Sequence, residues 1–240
     1  MYSRENLLAE IVRIHGEQDL GLDQSKFGTD KLLYKSYLEH LYPDLLAKLP
    51  QVRSVVEIGV RGGASLYLWS RLFPQARVLG VDVVGIGQEG GPNPQYMRQD
   101  NIEFIHGDAY TTEIADEIPP GIDLLIDDGS HHIADQLRLT ELYLDKLSSD
   151  GVLVIEDVQD GYVHANIIMK RIPRDKFDIR AHDFRRKKKM YDDFVVCISR
   201  GRTPLLYQLY VRLRSKLNVF KHAWMRLTRF WSTRRKAVRE

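Results

Sequence analysis

The stretch LLIDDGSHHIADQ, residues 124–136, places Asp127, Asp128, His131 and His132 within six residues, directly after an apolar run. Four ionisable groups at the end of a buried strand are costly unless something binds them. A second acidic pair, Glu156 and Asp157 in DGVLVIED, ends another apolar run, with Glu156 28 residues after Asp128. Carboxylates are hard oxygen donors of the kind Mg²⁺ takes, and histidine is the side chain that accepts a proton near neutral pH. Together they read as metal-assisted deprotonation of a hydroxyl, the cation lowering the pKa of a bound oxygen and an imidazole removing its proton. Cys197 is the single cysteine, so no Cys pair or Cys/His spacing favours zinc. His132 reads as a helix-start residue, and Asp127 as a helix cap or as a group that orients a metal ligand.

The elements that must hold these groups follow from the apolar periodicity. RSVVEIG, ARVLGVD, NIEFIHGD, IDLLIDD and DGVLVIED each read as a short buried strand that ends in an acid. GASLYLWSRLF and IADQLRLTELYLDKL carry helical spacing between them. Strands alternating with helices predict a parallel sheet covered on both faces. KFDIRAHDF and DDFVVCIS are separated only by RRKKKMY, too short for a crossover helix, so they are expected as antiparallel neighbours. Upstream, residues 5–15 read as an amphipathic helix. Thr29 is placed to cap a second helix, disturbed near Pro43. The long Gly/Pro-rich segment VGIGQEGGPNPQYMRQD after the second strand is expected to serve as a lid or binding loop.

Ligands of open α/β sheets bind outside the carboxyl ends of the strands. That rim here carries Glu57, Asp82, Asp108, Asp127, Asp128, Glu156 and Asp157. The turn EIGVRGGAS has Gly59, Gly62 and Gly63, with Arg61 where a dinucleotide fingerprint needs its second glycine. Asp82, 25 residues after Glu57, is placed to accept both hydroxyls of a ribose, and Asp108 in HGDAY to face an adenine amino group.

In this order and spacing, the acid-x-Gly turn, the ribose acid and the third-strand acid resemble the class I S-adenosylmethionine-dependent methyltransferases over about residues 25–199. DDGSHH with the later EDV, and FGTDK at 27–31, resemble the metal-dependent macrolide deoxysugar (mycinamicin-type) O-methyltransferases. The resemblance implies that Glu57, Gly59 and Gly63 surround the methionine part of S-adenosyl-L-methionine, Asp82 its ribose, and Asp108 with Ala109 its adenine. It further implies that Thr29 and Lys31 touch the cofactor, that Asp128, Glu156 and Asp157 hold Mg²⁺ (Mn²⁺ being the alternative ion), and that His131 is the general base. The expected fold is Rossmann-like and doubly wound: a mostly parallel seven-stranded sheet with an antiparallel last strand, N-terminal helices and a long basic C-terminal helix. The expected organisation is an N-terminal helical segment (1–50) belonging to the catalytic domain, a sheet domain (51–200) and the C-terminal helix (201–240).

The charge is unevenly spread. Residues 200–240 hold 12 Lys and Arg against one acid, Glu240, so the tail is near +11 and the remainder near −9. Leu206, Tyr210, Leu213, Leu217, Phe220, Trp224, Leu227 and Trp231 recur every three or four residues, forming a narrow apolar seam flanked by cations. Such a seam suits a membrane interface, a partner helix in a homo-oligomer, or docking on the acidic body, whereas nucleic acid is disfavoured. No signal peptide follows Met1, and no apolar run reaches the ~18 residues of a membrane span. With a lone cysteine, this suggests a cytoplasmic location, with the tail as a candidate peripheral contact at the inner membrane face. The expected activity is Mg²⁺-dependent methylation of a sugar hydroxyl on a natural product, glycolipid or polysaccharide. The alternatives are a cephalosporin-hydroxylase-like or catechol/phenol-directed enzyme on the same scaffold, and a membrane-associated binding module.

Overall fold

Five β-branched, apolar segments align as parallel strands: β1 (Ser54–Ile58), β2 (Arg77–Asp82), β3 (Ile102–His106), β4 (Ile122–Asp127) and β5 (Leu147–Ile155). With β6 (Phe177–Asp183) and β7 (Phe194–Arg200) they form one seven-stranded sheet in the order β3-β2-β1-β4-β5-β7-β6. β7 lies between β5 and β6 and runs antiparallel to both, as the short RRKKKMY connection demands. The computed structural model describes residues 3–18, 37–188 and 193–219.

One face of the sheet is covered by α1 (Arg4–Gln18), α2 (Tyr37–His40), α3 (Tyr42–Leu46) and α4 (Ala64–Leu72). Leu7, Ile11 and Ile14 of α1 recur with helical spacing and are buried in one core with Tyr42, Trp69, Val55, Ile126 and Val154. The other face is covered by α5 (Thr112–Glu117), α6 (Ile133–Tyr143) and α7 (Tyr162–Arg171), whose apolar residues meet Val56, Leu125 and Ile155 in a second core. A short α8 (Arg185–Lys188) follows β6. Where the predicted second helix would continue past residue 40, the chain breaks at Leu41. It resumes with Pro43 in the first turn of α3, where a missing N–H costs nothing.

Strand order reverses between β1 and β4, because the chain runs outward through β2 and β3 before crossing back. A reversal of this kind opens a crevice at the carboxyl ends of the two central strands. The long segment after β2 seals one side of it. Asn93 N–H donates to Gly62 O at 3.0 Å, and the buried Tyr96 ring packs on Tyr67 with centroids 5.6 Å apart.

The C-terminal helix (205–219) docks on the body, but among the described residues of the seam expected from the apolar spacing only Tyr210 takes part. Val211 and Ser215 are buried, and the Tyr207 hydroxyl meets the Ala181 N–H at 2.7 Å. Tyr210 contacts the Tyr162 hydroxyl at 3.1 Å, and Arg214 lies over the Tyr162 ring. Leu206, Leu213 and Leu217 instead face solvent, 81%, 61% and 61% exposed. The reason is that Thr203 is buried at the end of β7's connection, its hydroxyl held by Phe177 O and Ile179 N–H. That anchor sets which side of the helix meets the sheet. Phe220 and the rest of the expected seam lie outside the described residues. No described helix is long and apolar enough to cross a membrane.

Candidate active site

The crevice at the β1/β4 reversal is a cleft of about 590 Å³. The turns after β1, β2, β3, β4 and β5 all contribute to its wall. Gly59, Asp82, Asp108, Ala109, Asp128, His131 and Asp157 line it, as expected from the acids on the rim.

The donor-binding half is built from backbone geometry. Gly59 has φ +82°, and a Cβ there would lie 2.2 Å from the Asp128 carbonyl oxygen. Only glycine lets the first turn press against the end of β4, which brings the glycine turn and the Asp128 loop into direct contact. Asp82 braces the same turn: one carboxylate oxygen accepts the N–H groups of Val60 and Arg61 at 2.8 and 2.9 Å, and the other accepts Val84 N–H at 2.8 Å. A carboxylate has lone pairs for further hydroxyl donors. Asp108 accepts Tyr110 N–H at 2.9 Å, and the Ala109 carbonyl is fixed by the Tyr143 hydroxyl at 2.8 Å.

The other half is the loop at 127–132. Asp128, His131 and Asp157 each offer a ligand atom within 4.8 Å of the others. The His131 Nδ1 is buried with no hydrogen-bond partner among the described residues. Two carboxylates, with an imidazole beside them whose Nδ1 is orphaned, fit a divalent cation, Mg²⁺ needing only one or two carboxylates and keeping water in its remaining positions. Arg61, His131 and Asp157 all line the cleft with positive φ, at 48°, 56° and 49°. Such backbone costs about 1–3 kcal/mol per residue and tends to be held where function requires it.

Two predicted site residues stand apart from this convergence. Glu156 was expected as a third metal ligand, but it is buried on the opposite face, where its carboxylate accepts the Tyr42 hydroxyl. β5 ends at Ile155 and the backbone turns at Asp157, φ 49°, so Glu156 stays beneath the sheet with Tyr42 while Asp157 lines the cleft. Glu57 is likewise buried beneath the cleft, accepting Trp69 Nε1–H at 3.2 Å. Gly63, with φ +84°, starts α4 rather than lining the cleft. Thr29 and Lys31 lie outside the described residues.

Three tyrosines that no local motif marks as functional hold the site together. Tyr37, on α2, donates to an Asp157 carboxylate oxygen at 2.7 Å, and burial beside that charge pushes its phenol well above the usual range. Tyr42, on α3, holds Glu156. Tyr110 directly follows the predicted Asp108–Ala109 pair. Its hydroxyl donates to Asp127 at 2.7 Å and accepts Ser130 N–H at 3.1 Å. Burial pushes the Asp127 carboxyl up to about 6, an effect that the Tyr110 hydrogen bond opposes. Asp127 is thus a brace of the loop, neither a cap nor part of the converging set. His132 is the N-cap residue of α6. Burial pushes the Cys197 thiol up to about 12, as befits a core residue.

A family model described as a methyltransferase domain matches residues 56–158. The matched stretch contains every residue that lines the cleft. The chain is also similar to two curated sugar O-methyltransferases. One is an 8-demethyl-8-α-L-rhamnosyl tetracenomycin-C 2'-O-methyltransferase of Streptomyces olivaceus, 34% identical over 116 residues, which are 45% of this chain and 29% of the relative. The other is an L-olivosyl-oleandolide 3-O-methyltransferase of Streptomyces antibioticus, 33% identical over 132 residues, 51% of this chain and 32% of the relative. The chain thus spans about a third of the length of these relatives. Among solved structures, the MycE methyltransferase of the mycinamycin biosynthetic pathway, in complex with Mg and SAH, superposes with a TM-score of 0.55 at 19% identity. That match covers 80% of this chain and 55% of the other. This likeness shows a shared fold: the domain has the seven-stranded, Rossmann-like methyltransferase architecture with its antiparallel last strand.

Proposed function

We propose that this chain transfers a methyl group from S-adenosyl-L-methionine to a sugar hydroxyl, assisted by Mg²⁺ or Mn²⁺, on a glycosylated natural product, glycolipid or polysaccharide. The observation that carries the reading is the convergence of Asp128, His131 and Asp157 within 4.8 Å on one wall of the cleft. Gly59, Asp82 and Asp108 line the same cleft. The tetracenomycin and oleandolide relatives, named for methylating rhamnosyl and olivosyl hydroxyls, support a deoxysugar as the acceptor.

In this reading Gly59 and Gly63 keep the first turn narrow enough for the donor's methionine moiety to lie along it. Asp82 accepts the ribose hydroxyls, and Asp108 with Ala109 frames the adenine. Asp128 and Asp157 hold the cation, and Glu57 and Glu156 support the floor beneath it. When bound, the donor supplies a sulfonium methyl and the cation acidifies the acceptor hydroxyl. His131 takes the hydroxyl proton as the new O–CH₃ bond forms and the S–CH₃ electron pair returns to sulfur. Alignment of oxygen, methyl and sulfur in the closed cleft supplies much of the acceleration. The N-terminal helices belong to the same catalytic unit, since Tyr37 and Tyr42 reach Asp157 and Glu156 from α2 and α3.

The test pairs calorimetry with S-adenosylhomocysteine and mass spectrometry of a panel of deoxysugar-bearing polyketides. The expected results are cofactor binding and a product heavier by one methylene. Turnover should be lost in EDTA and restored by Mg²⁺. Asp128→Asn and His131→Ala should lose at least about a hundredfold in turnover, the lower end of the range for a missing general base, while the His131 variant still binds the cofactor. Failure to bind S-adenosylhomocysteine refutes the transferase reading, and full turnover in excess EDTA refutes the metal.

A further inference from the structure

The C-terminal helix is apolar on two opposite sides. Tyr207, Val211 and Ser215 bind it to the body. On the other side Leu205, Leu206, Leu209, Leu213 and Leu217 are 45–81% exposed among the described residues. A row of exposed leucines this long on one ridge marks an interaction surface. Its rim is cationic. Lys170 and Arg174 of the α7 end and Arg212 line a groove of about 330 Å³ that also contains Leu205 and Leu209. Lys216 stands one helical turn beyond Arg212 and is exposed. No acid occurs from Arg202 to Arg239, and residues 220–240 add seven further Lys and Arg together with Trp224, Phe230 and Trp231.

We infer that this leucine ridge is a docking surface for an anionic phospholipid bilayer. Apolar side chains enter the boundary between headgroups and acyl chains, while the flanking cations meet lipid phosphates. Because the opposite side of the helix is anchored through Thr203, Tyr207 and Val211, the leucines are presented on a rigid ridge without a prior folding step. Charge decides against a second copy as the occupant. Paired helices place opposite charges beside their apolar seam. Two copies of this helix would set Arg212 and Lys216 against their own kind with no acid to answer them. Nucleic acid would satisfy the cations and leave the leucines in water. The helix would lie on the bilayer, since no described helix can cross one.

The experiment is co-sedimentation of the full chain with vesicles of phosphatidylcholine alone and of phosphatidylcholine with about one third phosphatidylglycerol. The chain should pellet with the anionic vesicles and stay in solution with the neutral ones, and the bound fraction should fall at high salt as charges are screened. The triple variant Leu206→Glu, Leu213→Glu, Leu217→Glu should bind anionic vesicles at least about tenfold more weakly. Its melting temperature and S-adenosylhomocysteine binding should be unchanged, because these side chains are 61–81% exposed among the described residues. The inference is overturned if the wild-type chain stays in solution with anionic vesicles, or if the triple variant pellets equally well. It is also overturned if light scattering finds a dimer that the variant converts to monomer. No methyl donor or acceptor enters the assay, so the outcome is independent of whether the transferase reading stands.

Discussion

Replacing Tyr110 by Phe removes one oxygen and two hydrogen bonds from the loop that carries His131. The phenol donates to Asp127, a buried carboxylate, and accepts the Ser130 N–H. A bond to a charged group is worth about 1.5–3 kcal/mol and a neutral one about 0.5–1.5, and a buried group left without its partner carries the full desolvation cost. No water-sized replacement is at hand, since the hydroxyl is packed against Gly129, where even a Cβ would come within 2.3 Å of it. The expected loss is roughly 2–4 kcal/mol of folding stability. At about 2–4 °C per kcal/mol for a chain of this size, that is a fall in melting temperature of roughly 5–15 °C. Turnover should fall further than folding alone explains. His131, at φ 56°, directly follows Ser130, whose N–H the phenol holds, and without that bond the imidazole should drift from Asp128 and Asp157. The assay is urea unfolding beside steady-state kinetics below the melting transition. A drop of about tenfold in kcat, with little change in KM for the donor, is the expected pattern for a lost near-attack geometry. A variant within about 0.5 kcal/mol of wild type, with unaltered kcat, would show that Tyr110 braces nothing.

Two further outcomes follow from the geometry. His131→Gly removes the strain of a left-handed imidazole residue. It should leave stability unchanged or raised by up to about 1 kcal/mol while turnover disappears; a clear loss of stability in urea would mean that His131 is a structural residue. Arg77 and Glu103 form a bidentate pair across β2 and β3, at 2.7 and 2.6 Å, which holds the Glu103 carboxyl below its usual range. Both side chains are more than a third exposed, so Glu103→Gln should cost no more than about 1 kcal/mol. Because the folded pKa is depressed, that contribution is present above the unfolded value of 4.5 and is lost as pH falls through the folded one. Urea midpoints of the two proteins should therefore converge in acid, and a gap that persists there would refute the pair's role.

Much of the fold was legible because strand and helix write different periods into the chain. RSVVEIG, ARVLGVD, NIEFIHGD, IDLLIDD and DGVLVIED all became strands, each ending near its acid. The antiparallel β6–β7 pair followed from a connection too short to cross over. α5 and α7 carry no strong local signal, and their place comes from the need to cover the second face of the sheet. In the site, Asp82, Asp108, Asp128 and Asp157 could be named from position on the rim, because parallel strands bring their carboxyl ends together, and His131 from the DDGSHH stretch. Tyr37 and Tyr42 could not, since they lie more than 100 residues from the acids they hold.

The sequence by itself determined which side chains reach the rim, since pattern and spacing are local properties. Only the tertiary structure decided which way each one points. Glu156 and Asp157 are neighbours with the same chemistry. The left-handed turn at Asp157, just past the strand, leaves one with Tyr42 under the sheet and brings the other beside His131 in the cleft. In the same way, Leu206, Leu213 and Leu217 have the spacing of a buried seam. The anchor at Thr203 turns that seam outward and buries Val211 instead, because a helix fixed at one end to a sheet can present only one of its sides to the core.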